Sequence, residues 1–327
     1  MSKMGVMKVS VLLFLFVLLP HVFADLRFGF YSSTCPRAES VVRAVVQRRF
    51  ASDRSITAAL LRMHFHDCFV NGCDASILID STPTTQSEKE GGPNQTVREY
   101  ELIDEIKKAL EAACPSTISC ADIITLATRD AISLAGGPNY KVPTGRLDGL
   151  VSNAADVNLP GPGSSVSGII QTFRAKGLTL NDMVTLLGAH TVGVAHCRFF
   201  QDRLSGPDPT MDPNLATKLN QICGSQSSSD FGPSAFLDQN TSFVFDNEYY
   251  NQIRLNKGIL QIDQALASDR STAGIVSSFA SNGVAFGQNF AKAMVKMGNL
   301  VNNVGEIRKN CRVFNPKPQQ QKGSKKF

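Results

Sequence analysis

The chain is 327 residues long, carries a net charge of +5 and has no tryptophan. Its length allows one large core or two subdomains that share one. The mild positive excess, with lysines gathered near the C-terminus, suits a polyanionic matrix, and no internal repeat or nucleic-acid motif accompanies it.

In chain order, Lys3 and Lys8 precede an apolar run from Val9 to Leu19, and Val22-Phe23-Ala24 supplies small residues at the spacing signal peptidase accepts. Residues 1–24 read as a cleaved signal peptide, with the mature chain starting at Asp25. An uncleaved anchor would need roughly 20 apolar residues, and no later segment is apolar enough to span a membrane. The eight cysteines are Cys35, Cys68, Cys73, Cys114, Cys120, Cys197, Cys223 and Cys311. An even number in an exported chain reads as disulfides, with about 105 pairings open on counting alone. Their scatter argues against a zinc cluster.

Pro36 opens a helix with Val41, Val42, Val45 and Val46 at helical spacing. Ser55 caps a second, through Ile56, Leu60 and Met63 to about His66. Residues 98–113 carry Leu102, Ile103, Ile106 and Leu110 on one face, and Pro115 ends that helix. Ser119 with Asp122, and Thr179 with Asp182, resemble capping boxes for two more. Strand-like alternation is scarce. The fold class is mainly α, with ordered loops at 67–95, 138–165 and 200–240. The basic segment 316–327, rich in proline and glutamine, reads as a disordered tail.

The densest chemistry lies in Leu61-Arg62-Met63-His64-Phe65-His66-Asp67-Cys68. Residues three and four apart share a helix face, so Arg62, Phe65 and His66 point together while His64 points elsewhere. A cation, an aromatic wall and an imidazole on one face suit acid–base work. Taken alone, such a trio is more often an ion-paired surface patch, and His64 suits a structural role. Asp67, Val70, Gly72, Asp74 and Ser76 then offer hard oxygens in a tight loop between Cys68 and Cys73, a pattern that suits calcium. An acidic turn without an ion would not explain the pinning.

The stretch LRMHFHDCFVNGCDASILID at 61–80 resembles the distal-haem signature of plant secretory (class III) haem peroxidases, and Gly188-Ala189-His190-Thr191-Val192-Gly193 resembles their proximal-haem signature. Ser119–Ile124, Phe245-Asp246-Asn247 with Tyr249-Tyr250, Ser268-Asp269 and Ala293–Gly298 also match. The resemblance covers roughly 25–315, one haem peroxidase domain of two subdomains with haem between distal and proximal helices.

It implies haem b with His190 as axial iron ligand and Asp263 accepting a hydrogen bond from that imidazole. It implies His66 as the distal base, Arg62 as the distal cation, Asn94 as the amide orienting His66, Phe65 against the cofactor, and Glu88 supporting Asn94. Hydrogen peroxide would be reduced to water while small phenolic donors, contacting Pro160, lose single electrons. Two Ca2+ are implied: a distal ion on Asp67, Val70, Gly72, Asp74 and Ser76, with Glu88 indirect, and a proximal ion on Thr191, Asp238, Thr241, Val244 and Asp246. The implied disulfides are Cys35–Cys114, Cys68–Cys73, Cys120–Cys311 and Cys197–Cys223, with Asp122 and Arg146 as a buried ion pair. A secreted monomer of the apoplast is expected rather than a vacuolar protein, possessing no membrane or nucleic-acid partner and suited to anionic cell-wall polysaccharide.

Several positions depart from the family, among them Leu147 in Gly145-Arg146-Leu147-Asp148, Arg98-Glu99-Tyr100 and the mature start at Asp25, and together they bear on donor preference. The tryptophan that follows Gly-Gly-Pro in relatives is replaced around Tyr140, and Gly92 and Gly163 stand near the haem edge where relatives can carry phenylalanine. Phe199 keeps an aromatic rim. A catalytically silent wall-binding scaffold is the alternative, against which the retained Arg62, His66, Asn94, His190 and Asp263 argue. A zinc hydrolase on His64 and His66 lacks a third ligand. Asn94-Gln95-Thr96 and Asn240-Thr241-Ser242 both fit the glycosylation pattern.

Overall fold

The computed structural model describes residues 26–226 and 230–316. The expected signal peptide at 1–24 and all but the first residue of the expected 316–327 tail lie outside them. Among the described residues, eleven α-helices and one two-stranded ribbon form the chain. They are α1 (Ala38–Ser52), α2 (Ile56–Val70), α3 (Tyr100–Ala113), α4 (Cys120–Leu134), α5 (Val166–Ala175), α6 (Leu180–Leu187), β1 (Val194–His196), α7 (Pro213–Cys223), β2 (Ser234–Phe236), α8 (Glu248–Arg254), α9 (Gln261–Ser268), α10 (Ala273–Ser281) and α11 (Gly283–Gly298).

Apolar side chains gather in two clusters. One joins α1, α3 and α4 through Val42, Ile103 and Ile124. The other joins α5, α6 and α8 to α11 through Phe173, Val184, Tyr250 and Phe286. Helix α2 contributes to both, Leu60 and Met63 to the first and Leu61 and Phe69 to the second. A helix buried on opposite sides needs apolar residues around its circumference, which is why its sequence shows little amphipathic stripe. The polar residues it retains between two cores are therefore costly unless partnered.

The disulfides pair Cys35–Cys114, Cys68–Cys73, Cys120–Cys311 and Cys197–Cys223. Cys120–Cys311 spans 191 residues and ties the C-terminal segment to the start of α4. Closing so long a loop restricts the unfolded chain, a contribution of roughly 5 kcal/mol on the chain-entropy account. Asp122 and Arg146 form the fully buried ion pair at 2.7 Å.

Several local expectations change. α2 does not stop near His66 but runs to Val70, so Asp67 sits on the helix and the following loop begins at Asn71. Ser55 does not cap it; its hydroxyl turns to Asp53 at 2.5 Å and accepts from Arg98. α1 begins at Ala38, two residues past Pro36. Thr179 and Asp182 form a complete capping box. Ser119 caps Asp122 N–H, but the Asp122 carboxylate is drawn to Arg146 instead of reaching back. The stretch 200–240 also contains α7, whose start is marked by Asp212 accepting from Leu215 N–H and by Pro213 in the first turn.

Candidate active site

Helix α2 turns Arg62, Phe65 and His66 toward a cavity of about 520 Å³, within the range of cofactor sites. The opposite wall is the short 3-10 turn Gly188–Thr191 that continues α6 and presents His190 to the same space. His64 faces away, buried near the Thr125 hydroxyl at 3.5 Å. Its neighbours Cys68 and Cys73 are joined in a disulfide, so no thiolate is present to build a zinc site with it.

On the α2 side, Asn94 Nδ2 donates to the Glu88 carbonyl at 2.7 Å, which turns Asn94 Oδ1 toward His66 Nδ1 at 2.6 Å. An amide oxygen only accepts, so His66 carries its proton on Nδ1. Nε2 then accepts from Arg62 Nε at 3.2 Å and is left unprotonated. Burial, reinforced by the Arg62 charge, pushes His66 down to about 3. Arg62 itself is tethered: Nη1 donates to the Thr96 hydroxyl at 2.7 Å and carbonyl at 3.0 Å, and Nη2 to the Pro93 carbonyl at 2.8 Å. Burial lowers its pKa to about 10, which leaves it charged at neutral pH.

On the other side, His190 Nδ1 donates to Asp263 Oδ1 at 2.8 Å, leaving Nε2 free to face the cavity. Burial lowers the pKa of His190, yet the charge and hydrogen bond of Asp263 outweigh it and raise the value overall. Tyr249 also donates to Asp263 Oδ1, at 2.9 Å. That link, like the tether of Arg62 to Pro93 and Thr96, has no signature in residue spacing.

The residues expected to hold calcium lie in two groups, one following each histidine. Asp67 and Glu88 are fully buried, and none of their four carboxylate oxygens has a hydrogen-bond partner. Burial and the neighbouring charges of Asp74 and Glu88 raise Asp67 well above the carboxylate range, and burial pushes Glu88 up to about 8. Orphaned, crowded carboxylates are what a divalent cation relieves, so these residues fit calcium. Asp74 Oδ1 accepts from Ser76 at 2.5 Å, Gly72 takes a positive φ of 98°, and the Val70 carbonyl accepts from Lys176 Nζ at 2.9 Å. Lys176 was not anticipated. Glu88 supports Asn94 through its backbone carbonyl, which leaves its carboxylate to this acidic cluster. Near His190, the Thr191 and Thr241 hydroxyls each lie between Asp238 and Asp246, at 2.9 to 3.3 Å. The Val244 N–H closes that loop onto the Thr241 carbonyl at 2.7 Å.

Pro160, Phe199 and Gly92 lie on the cavity's border. Gly163 does not; it lines a separate depression with Gln261 and Ser268. The β1–β2 ribbon adds Phe236, stacked edge-on to Phe243 with ring centres 5.3 Å apart, so the mouth is aromatic on a side the sequence left unmarked.

What these walls enclose is a mostly apolar cavity with an imidazole on either side, a layout that suits a haem oxidoreductase. A family model described as Peroxidase matches residues 42–282. Peroxidase 44 of Arabidopsis thaliana is 60% identical over 313 residues, which cover 94% of this chain and 99% of the relative. Peroxidase 57 of the same plant is 56% identical, covering 94% and 98%, and Peroxidase 15 of Ipomoea batatas is 43% identical, covering 91% and 95%. The chain belongs to the peroxidase family, among the plant secretory (class III) haem peroxidases. It is an enzyme that reduces hydrogen peroxide with electrons from donor substrates, and haem b and calcium are its cofactors. Nothing in the site favours the catalytically silent alternative. No helix among the described residues is long and apolar enough to cross a membrane.

Proposed function

We propose that His66, Arg62 and Asn94 break the peroxide O–O bond while His190, backed by Asp263, holds the haem iron. Haem b, when bound, supplies the iron that takes two oxidising equivalents from hydrogen peroxide and passes them on one electron at a time. His66 Nε2 accepts the proton from the inner peroxide oxygen and delivers it to the outer one, which departs as water. Arg62 stabilises the negative charge that grows on the departing oxygen, from a position held by Pro93 and Thr96. Asn94 keeps the His66 proton on Nδ1, so Nε2 is always the base. The observation that carries this reading is His66 held between Asn94 Oδ1, 2.6 Å from Nδ1, and Arg62 Nε, 3.2 Å from Nε2, at one border of the cavity, which leaves Nε2 as the base.

Small phenols are the proposed donors, with Pro160 as a contact and Phe199 at the rim. The four disulfides and the leader-like residues 1–24 support secretion, and a monomer in the apoplast rather than the vacuole is the proposed state. The positive charge supports contact with anionic cell-wall polysaccharide. The axial assignment is tested with His190→Gly. The variant should lose the histidine-ligated haem spectrum and peroxide-dependent guaiacol oxidation, and regain both on adding imidazole. A native spectrum without imidazole would overturn it.

A further inference from the structure

Asp263 Oδ1 serves two donors at once, His190 Nδ1 at 2.8 Å and the Tyr249 hydroxyl at 2.9 Å. Tyr249 and Asp263 are both buried, and the Tyr249 ring stands edge-on to His190 with centres 6.1 Å apart. The neighbouring residue packs against the same part of the fold. Tyr250, on the same helix α8, donates to the Val184 carbonyl of α6 at 2.9 Å. Gly188, at the start of the His190 turn, has no room for a side chain, since a Cβ there would lie 2.3 Å from the Tyr250 hydroxyl. α8 thus packs closely on the turn that carries His190.

We propose that Tyr249 is a positioning residue which, by sharing the Asp263 oxygen with His190, sets how much negative charge reaches the axial imidazole and so raises the reduction potential of the haem iron. This rests on the His190–Asp263 assignment made above. A phenol that donates to a carboxylate draws charge from the oxygen it binds. The shared Oδ1 then pulls less strongly on the His190 proton, and the imidazole keeps less anionic character. A less anionic ligand stabilises ferric iron less, which lifts the ferric–ferrous midpoint. Removal of the hydroxyl leaves Oδ1 to His190 alone and reverses each step. A ring that merely filled space would do its work equally well as phenylalanine.

The test uses the holoenzyme and reads potential rather than turnover. In Tyr249→Phe the midpoint, followed by spectroelectrochemical titration, shifts downward, and the ferrous iron–imidazole stretch in resonance Raman spectra shifts to higher frequency. With 3-fluorotyrosine in place of Tyr249, whose hydroxyl is the stronger donor, the midpoint shifts upward; this decides the matter even where Tyr249→Phe fails to fold. Tyr250→Phe, which loses the bond to Val184 but none to Asp263, leaves the midpoint in place. Asp263→Asn raises it, which checks the underlying assignment. If Asp263→Asn moves the midpoint and neither change at Tyr249 does, the role of Tyr249 is overturned while the pair stands. If none of them moves it, both fall. A shift in Tyr250→Phe as large as in Tyr249→Phe would reduce the effect to packing and overturn the proposal.

Discussion

On the α2 side of the cavity an imidazole Nδ1 meets an amide oxygen at 2.6 Å; on the side of the Gly188–Thr191 turn another meets a carboxylate oxygen at 2.8 Å. The bonds are alike in geometry and opposite in consequence. Burial and the Arg62 charge depress His66 to about 3, and a neutral amide does little to resist them. Burial also works against a charged His190, and there the Asp263 carboxylate wins and raises it. The acceptor's charge therefore divides the labour. A neutral acceptor leaves a base that can take a proton and return it, and an anionic acceptor makes a strong electron donor to a metal.

The comparison can be broken most severely by removing the distal base. His66→Ala should keep haem but slow its reaction with peroxide by at least about a hundredfold, the usual scale of general acid–base catalysis. Stopped-flow mixing at a near wild-type rate would mean that His66 is not the base.

Calcium sharpens it from both ends, because Asp67 follows His66 directly and Thr191 follows His190 directly. Chelation should lower the melting temperature and the activity together, and added calcium should restore both. An ion present at 100 times its dissociation constant contributes about 2.7 kcal/mol of stability. Glu88, pushed up to about 8 by burial, must shed its proton to face the ion as a carboxylate. Protons therefore compete with the metal, and affinity weakens as pH falls. Protein proved free of calcium by elemental analysis, yet unchanged in melting temperature and rate, would contradict the metal loops.

Asn94→Asp gives the distal imidazole the acceptor of the proximal one. An anion at Nδ1 favours the charged imidazole, so the pKa of His66 rises from about 3. The active base is the neutral form, and its acid limit moves to higher pH in the variant. Below that limit, each unit of upward shift costs about tenfold in rate. Wild-type enzyme should stay active well into the acid range. A pH–rate profile identical for the two proteins would show that the acceptor's charge is not what separates the two histidines.

The smallest effect concerns the two glycosylation patterns. Asn94 is 1% exposed, with its Nδ2 donated to Glu88, whereas Asn240 is exposed beside the proximal loop. Active holoenzyme should carry no glycan on Asn94 and be able to carry one on Asn240 without loss of rate. Peptide mass spectrometry showing full activity with glycan on Asn94 would refute its place beside His66.

Short-range physics was legible in the order of residues. The shared face of Arg62, Phe65 and His66 follows from helical periodicity, and the Thr179–Asp182 box from spacing of three. Even α7, read as loop, was marked by Asp212-Pro213. Long motifs at 61–80 and 188–193 carried the family, and through it the ligand sets and disulfide pairs. What depended on distant partners was decided only by folding. Asp122 leaves its own cap because Arg146, 24 residues on, offers a buried charge at 2.7 Å. Arg62 is held by carbonyls of Pro93 and Thr96, which any residue could supply. The orphaned oxygens of Asp67 and Glu88, and the hydroxyl that Tyr249 lends to Asp263, arise only because separate segments meet in the buried interior. Periodicity reports which face a side chain takes, and only the packed chain decides what stands opposite.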